Sequence, residues 1–238
     1  MSRLFSRAFL ACSFLAALST VASADRIGPS FAQPPPGWQA RHSVPAANEP
    51  APPVTRLTEP FVDRDVVRAK LAAARADNLA RFRAYQRKGV FPSNTYVDGE
   101  LNVWRDEAGH LCAAATIMNA SGATLLVEQV AEDTNFIRLA DVTSGPLLDW
   151  ILTSGLTQAE IVAIQKPFSP VMRRPPVEPG PTPIVAIDPT LRRAEDLRLA
   201  RTYRQVEAMI VRNHEASLEL AVDRLMAYPA LARRFAGS

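Results

Sequence analysis

The chain has 238 residues, 47% of them hydrophobic, and a formal net charge of +3. That length is sufficient for one or two domains with hydrophobic cores, and the small net charge gives little long-range attraction for nucleic acid or anionic membranes. Only two cysteines are present, and one lies in the N-terminal segment, which excludes a small domain held together by disulfides.

Residues 1–24 have the pattern of a cleavable secretory signal peptide. Two arginines precede an apolar run over residues 8–18, and Ala22-Ser23-Ala24 supplies the small residues needed for cleavage before Asp25. A lipoprotein signal with Cys12 lipidated is the alternative, but the apolar run continues past that cysteine. The run is shorter than the roughly 20 residues that span a bilayer. We therefore expect an exported protein, periplasmic or secreted, with no transmembrane segment in its mature chain.

Most of the 20 prolines fall in two stretches, residues 25–60 and 167–187. Proline lacks the backbone N–H and fixes φ, which excludes helices and central strands. We predict that residues 25–60 are disordered and that residues 167–187 form an extended linker. The two stretches delimit a core domain, residues 61–166, and a C-terminal segment, residues 188–238.

The core domain begins with a helical pattern that runs from a cap at Asp63 or Asp65 to Gly89. One face of this helix repeats at steps of three and four: Val67, Leu71, Ala74, Asn78, Phe82 and Tyr85.

Residues 101–105 and 110–116 resemble two strands joined by a turn that places Gly109 at its special position. The alanines after Cys112 could equally begin a helix that reaches Asn119, so a strand is favoured at residues 110–112 and the type of the residues after it stays open. Trp104, within the first of these segments, is predicted to be buried.

Three more helices are predicted in the core domain. One covers residues 123–132, one runs from a cap at Ser144 to Gly155 and contains Trp150, and one covers residues 158–165. The last has a capping box in Thr157-Gln158-Ala159-Glu160. Trp150 is predicted to be buried, like Trp104.

Residues 156–161 resemble the middle of many DNA-binding helix-turn-helix units. Their surroundings are acidic, and the signal peptide directs the chain away from DNA. We therefore interpret residues 147–165 as an αα-hairpin and predict no nucleic-acid partner.

The C-terminal segment is predicted to be one long helix from Asp188-Pro189 to about Ala227, roughly 57 Å long. Its apolar stripe is interrupted near Asn213 and His214. A helix of this length could form a coiled coil with a partner. The predicted fold class is therefore mainly α with a small β-hairpin: a compact helical core, proline-rich linkers and a long C-terminal helix.

His110 and Cys112 are the candidate catalytic residues. Positions i and i+2 of a strand share a face, and an imidazole beside a thiol can generate a nucleophile. Asp133, Asn135 or Asp141 could orient the histidine. A buried structural cysteine beside a surface histidine is the alternative, and the absence of any cysteine-hydrolase signature around Cys112 favours it.

No metal or cofactor is predicted. The three histidines, His42, His110 and His214, lie in separate segments, and their spacing matches no zinc site. Four acidic residues lack the calcium-loop pattern and are interpreted as a solvated surface: Glu128, Glu132, Asp133 and Asp141.

The function predicted from these features is that of an exported, non-enzymatic binding, scaffold or accessory protein of the cell envelope. Its partner is expected to be another exported protein or an envelope component. The alternative is a cysteine-dependent hydrolase or thiol enzyme using Cys112 and His110. A helical lid or a chaperone-like role for another exported protein is a further possibility.

Overall fold

The computed structural model describes residues 62–173 and 186–237, so the predictions for residues 1–24, 25–60 and 174–185 lie outside the described residues. The described part contains eight α-helices and only isolated β-bridges, so the fold is mainly α, as predicted. The helices are α1 Arg64–Lys88, α2 Ala113–Ala120, α3 Thr124–Asp133, α4 Gly145–Thr153, α5 Gln158–Ile164, α6 Pro189–Arg212, α7 His214–Met226 and α8 Pro229–Gly237.

The longest helix, α1, is the central element of the fold and packs against α2, α6, α7 and α8. It begins at Asp63, whose carboxylate accepts the N–H groups of Asp65 and Val66 at 2.8 and 3.4 Å. It ends at Gly89, which adopts a left-handed conformation with φ +63°. Both helix ends were predicted from the sequence.

Two hydrophobic clusters lie along α1. The first joins the C-terminal half of α1 to α2, α3, α5 and α6, and includes Phe82, Trp104 and Tyr203. The second joins the N-terminal half of α1 to α4, α7 and α8, and includes Leu71 and Leu148. The C-terminal helices therefore complete the core of the described part, and the residues that they contribute belong to the same compact unit.

A buried arginine connects the helices at the junction of the two clusters. All five N–H donors of Arg75 are bonded: two to the Glu160 carboxylate at 2.7 Å each, one each to the carbonyls of Gly155 and Ile210, and Nε to Nδ1 of His214 at 3.3 Å. Its guanidinium thus links α1, the α4–α5 turn, the end of α6 and the start of α7. The sequence predicted only surface arginines on α1.

The predicted β-hairpin is reduced to one bridge between Arg105 and Leu111. The turn at Gly109 forms as expected, with φ +82°. The second strand does not continue because Cys112 caps α2, its sulfur accepting the Ala115 N–H at 3.4 Å. The helical alternative for residues 113–119 is therefore the correct one.

The prediction of one long C-terminal helix is wrong in its middle. The chain breaks between α6 and α7 at Asn213, and Arg75 bonds the chain on both sides of this break. The apolar stripe of α6 is buried in the first cluster through Leu199, Tyr203 and Ile210. Because the stripe is covered within the chain, it does not offer a coiled-coil seam to a partner.

Part of the predicted linker packs on the core. Phe168 pairs with Leu101 through two backbone hydrogen bonds of 2.8 and 3.1 Å, and Val171 and Met172 are buried. Proline excludes helix here but allows extended chain, and these apolar side chains gain free energy by burial. Residues 167–173 are therefore part of the folded unit.

The two tryptophans that were predicted to be buried differ in their exposure. Trp104 is fully buried, as predicted, and its Nε1 donates to the Val127 carbonyl at 3.0 Å. Trp150 is only partly buried, and its Nε1 donates to the Ser121 hydroxyl at 2.9 Å on the surface.

No single helix within residues 62–173 and 186–237 is long and apolar enough to cross a membrane. Helices α4 and α5, which meet at 101°, are together long and apolar enough to do so.

The capping box predicted for α5 is present: the Thr157 hydroxyl accepts the Glu160 N–H, and the Glu160 carboxylate accepts the Thr157 N–H.

Candidate functional site

Cys112 lies in the hydrophobic core, with 1% of its surface exposed. Its neighbours include the rings of Tyr85 and Tyr203, which belong to the same cluster. Burial raises the pKa of the Cys112 thiol to about 12. At neutral pH the group is therefore a protonated thiol without access to a substrate, which is the chemistry of a packing residue.

His110 is directed to the surface and is held by an acidic residue that the sequence analysis overlooked. Its Nδ1 lies 3.1 Å from Oδ2 of Asp106, a carboxylate that is itself buried and accepts the N–H groups of Ser93, Ala108 and His110. The structure thus gives His110 a carboxylate partner in its own turn. An acidic residue four positions before the histidine was the available signal.

The residues predicted to orient His110 have other contacts. Asn135 bonds the backbone of Arg105 through both ends of its amide, at 2.9 Å each. Asp141 lies 3.7 Å from Arg138 on the surface. Asp133 is exposed at the end of α3.

The ring of His110 lies beside a cavity of about 350 Å³ between the second half of α1, the turn at Gly109 and α2. We call it the cationic cleft. Its lining residues are Arg81, Ala84, Tyr85, Lys88, Val90, Gly109, His110, Leu111, Thr116, Asn119 and Ala120.

The lining of the cationic cleft combines basic and apolar groups. Arg81, Lys88 and His110 supply basic side chains, and the described residues place no aspartate or glutamate in the lining. Thr116 and Asn119 add a hydroxyl and an amide. A concave site with a few polar groups over apolar residues is the usual form of a small-molecule site.

A second cavity, of about 460 Å³, lies between residues 100–102 and residues 136–140. The amide oxygen of Asn102 is buried there without a hydrogen-bond partner among the described residues. The charged groups around it have mixed sign, with Glu100, Arg138 and Lys166 in the lining. The mixture gives no clear selectivity for one ligand charge.

The remaining predicted groups do not form a metal centre. Glu128 pairs with Arg105, and His214 accepts a hydrogen bond from Arg75 at the α6–α7 junction. In residues 62–173 and 186–237, no group of three or more His, Cys, Asp or Glu residues is arranged to hold a metal ion. His42 lies outside the described residues.

The chain was compared with protein-family models, curated proteins and solved structures, and no match was found in any of the three comparisons.

Proposed function

We propose that this chain is an exported, non-enzymatic binding protein of the cell envelope whose ligand site is the cationic cleft. The observation that carries the proposal is a concave site, formed by three adjoining segments of the fold, in which the described residues place three basic side chains and no acidic one. The ligand would be a component of the envelope or a molecule passing through it.

The proposal of export rests on the N-terminal sequence. Basic residues, an apolar run and the Ala22-Ser23-Ala24 motif follow each other in the order of a cleavable signal. A binding protein located outside the cytoplasm would meet an envelope ligand directly, and the ligand would not have to enter the cytoplasm.

The environment of Cys112 supports binding over thiol catalysis. Its thiol is buried and its pKa is raised to about 12, whereas catalytic cysteines have lowered pKa values and partial exposure. His110 is bonded to Asp106 and partly exposed at the cleft. The two residues of the alternative therefore lie in different environments.

Titration of the ¹⁵N-labelled mature chain, residues 25–238, with a small-molecule extract of the envelope tests the proposal. We expect saturable changes in amide resonances around the cleft, at Gly109, Leu111, Thr116 and Ala120. Changes centred on Asn102 in the second cavity, or no saturable changes at all, would contradict it.

A matched pair of variants identifies the site. Arg81→Gln/Lys88→Gln removes two charges from the cleft lining. Arg201→Gln/Arg204→Gln removes two charges from exposed positions of α6. The first variant should lose the resonance changes and the second should keep them.

A further inference from the structure

We infer that the cationic cleft binds a small organic anion, whose acidic group contacts Arg81 and Lys88 and whose short apolar body lies on Val90 and Leu111. This inference rests on the proposed function, because it names the class of ligand for the same site. The closing experiment separates the two.

Two of the three basic side chains of the cleft, Arg81 and Lys88, have no carboxylate partner among the described residues. Within the described residues, Lys88 forms no ion pair, and the only bond of the Arg81 guanidinium is a donation to the Asn78 amide oxygen at 2.8 Å. Many arginines elsewhere in this part of the chain contact carboxylates: Arg64, Arg68, Arg75, Arg83, Arg105, Arg192 and Arg198. The cleft therefore brings together two basic side chains for which the described residues provide no carboxylate partner.

The position of Lys88 at the end of α1 explains its charge, but the same effect does not explain the charge of Arg81. Lys88 lies in the last turn of α1, where the free carbonyl groups favour a cation. Arg81 lies two turns earlier, beyond the reach of that effect. Its position beside Lys88 and His110 on the cavity wall has no such structural reason.

His110 lies on the wall of the cleft, and its ring is oriented by Asp106. The contact of Nδ1 with the buried Asp106 orients the ring, and Nε2 lies on the opposite edge of the imidazole. In the protonated ring this nitrogen is a further donor for an anion. Asp106 thus acts as a positioning residue.

The size and lining of the cleft restrict the ligand. About 350 Å³ is near the lower limit of ligand cavities, which extend over roughly 300–1,000 Å³. Val90 and Leu111 are half-buried, so an apolar body would cover surface that is still partly exposed to water. These properties fit a short-chain carboxylate better than an inorganic anion.

Isothermal titration calorimetry of the mature chain with hexanoate, hexanamide and inorganic phosphate tests the inference. Hexanamide has the same shape as hexanoate without the charge, and phosphate has charge without the apolar body. We expect hexanoate to bind more tightly than either of the other two compounds. Its affinity for Arg81→Gln/Lys88→Gln should be lower than for the wild type by a factor of about ten or more. The control Arg201→Gln/Arg204→Gln should bind like the wild type.

Equal binding of hexanoate and hexanamide, or equal binding of hexanoate and phosphate, would overturn the inference and leave the proposed function standing. Lack of hexanoate binding would also overturn it, while a response of the cleft to envelope extract would still support the proposed function. Circular dichroism melting of both double variants, whose substituted residues include the exposed Lys88, confirms that any lost binding is not lost folding.

Discussion

The guanidinium of Arg75 and the carboxylate of Glu160 form a bidentate ion pair in the interior, with two contacts of 2.7 Å between residues 85 positions apart. Both side chains are almost completely buried, at 1% and 4% exposure. The same carboxylate caps α5 through Thr157. This pair therefore fixes the position of α5 against α1, the helix that carries Arg81 and Lys88 of the cleft.

Removal of either partner of this ion pair should strongly destabilise the fold. We expect Arg75→Met and Glu160→Leu each to lower the free energy of unfolding by about 3–5 kcal/mol, because each leaves a buried charge unpaired. The double variant should lose much less than the sum of the two. Urea denaturation of the three variants measures the coupling, and additive losses would show that the pair does not act as a unit.

Acid should weaken the same contact. Burial alone would raise the pKa of Glu160, but hydrogen bonds from Arg75 and the Thr157 N–H lower it on balance. A lowered folded pKa means that the stabilisation is complete above the unfolded value of about 4.3 and is lost as the pH falls through the folded value.

The free energy of unfolding of the wild type should therefore fall as the pH drops below about 4.3, and the fall should be smaller in Glu160→Gln. The comparison of slopes, obtained by urea denaturation at several pH values, is valid even though the variant starts from lower stability. Equal slopes in the two proteins would contradict the lowered pKa.

Gly155 should tolerate no side chain. A Cβ at this position would lie 2.2 Å from the carbonyl oxygen of Leu71 and 2.5 Å from the backbone nitrogen of Arg75, and its φ is +74°. Gly122 has φ +96° with nothing within 4 Å, so Gly122→Ala tests the backbone strain alone. We expect Gly155→Ala to cost about 1–3 kcal/mol more than this control, measured by thermal denaturation. Equal losses of stability would show that α1 and the α4–α5 turn can move apart enough to accommodate the added Cβ.

Much of the fold was predictable because its signals are local. The caps at Asp63 and Thr157 and the end of α1 at Gly89 depend on residues within one turn of each other. The buried face of α1 follows from its spacing. Local signals of this kind gave the correct fold class and most helix boundaries.

The errors came from contacts between distant residues. The burial of Arg75 depends on Glu160, which no local pattern connects to it. The break at Asn213 occurs where Arg75 bonds the chain on both sides, at Ile210 and His214. The interrupted apolar stripe near Asn213 was the only local signal for the break, and no local signal indicated the burial of Arg75.

The candidate site was predictable only in part. The sequence analysis singled out His110, but the carboxylate that contacts it is Asp106 and not one of the residues at 133–141. The cleft forms between α1, which ends at Lys88, and α2, which begins at Ala113. Because these helices are separate in sequence, no local pattern indicated that Arg81, Lys88 and His110 would line one cavity.

The hydroxyl of Tyr203 offers a test of the core. This hydroxyl and that of Tyr85 are both buried and close enough to interact, but neither makes a hydrogen bond of normal length and angle in the described part of the chain. The rings meet edge to face with centroids 5.6 Å apart. Since an unpaired buried hydroxyl costs about 1–3 kcal/mol, Tyr203→Phe should leave thermal stability unchanged or increased. A large loss would mean that the hydroxyl is bonded in solution.

Cys112 should be inert in the folded protein. Because burial raises the pKa of its thiol to about 12, alkylation at neutral pH should be much slower in the native than in the denatured protein. Cys112→Ala should cost about 1 kcal/mol for the small volume lost and leave ligand binding intact. Faster reaction in the native protein would restore the cysteine-dependent alternative.

Export predicts a defined N-terminus. Mass spectrometry of the native protein from envelope or medium should find Asp25 as the first residue, because cleavage follows Ala22-Ser23-Ala24. Retention of Met1, or a chain beginning at a lipidated Cys12, would contradict cleavage at this site.

Native mass spectrometry of the protein purified from its own envelope tests the central claim, ligand binding in the cationic cleft, most directly. The wild type and Arg201→Gln/Arg204→Gln should each carry a small molecule that denaturation releases, and Arg81→Gln/Lys88→Gln should carry little or none. The same occupancy in all three proteins, or a bound molecule in none, would contradict the assignment of the cleft as the binding site.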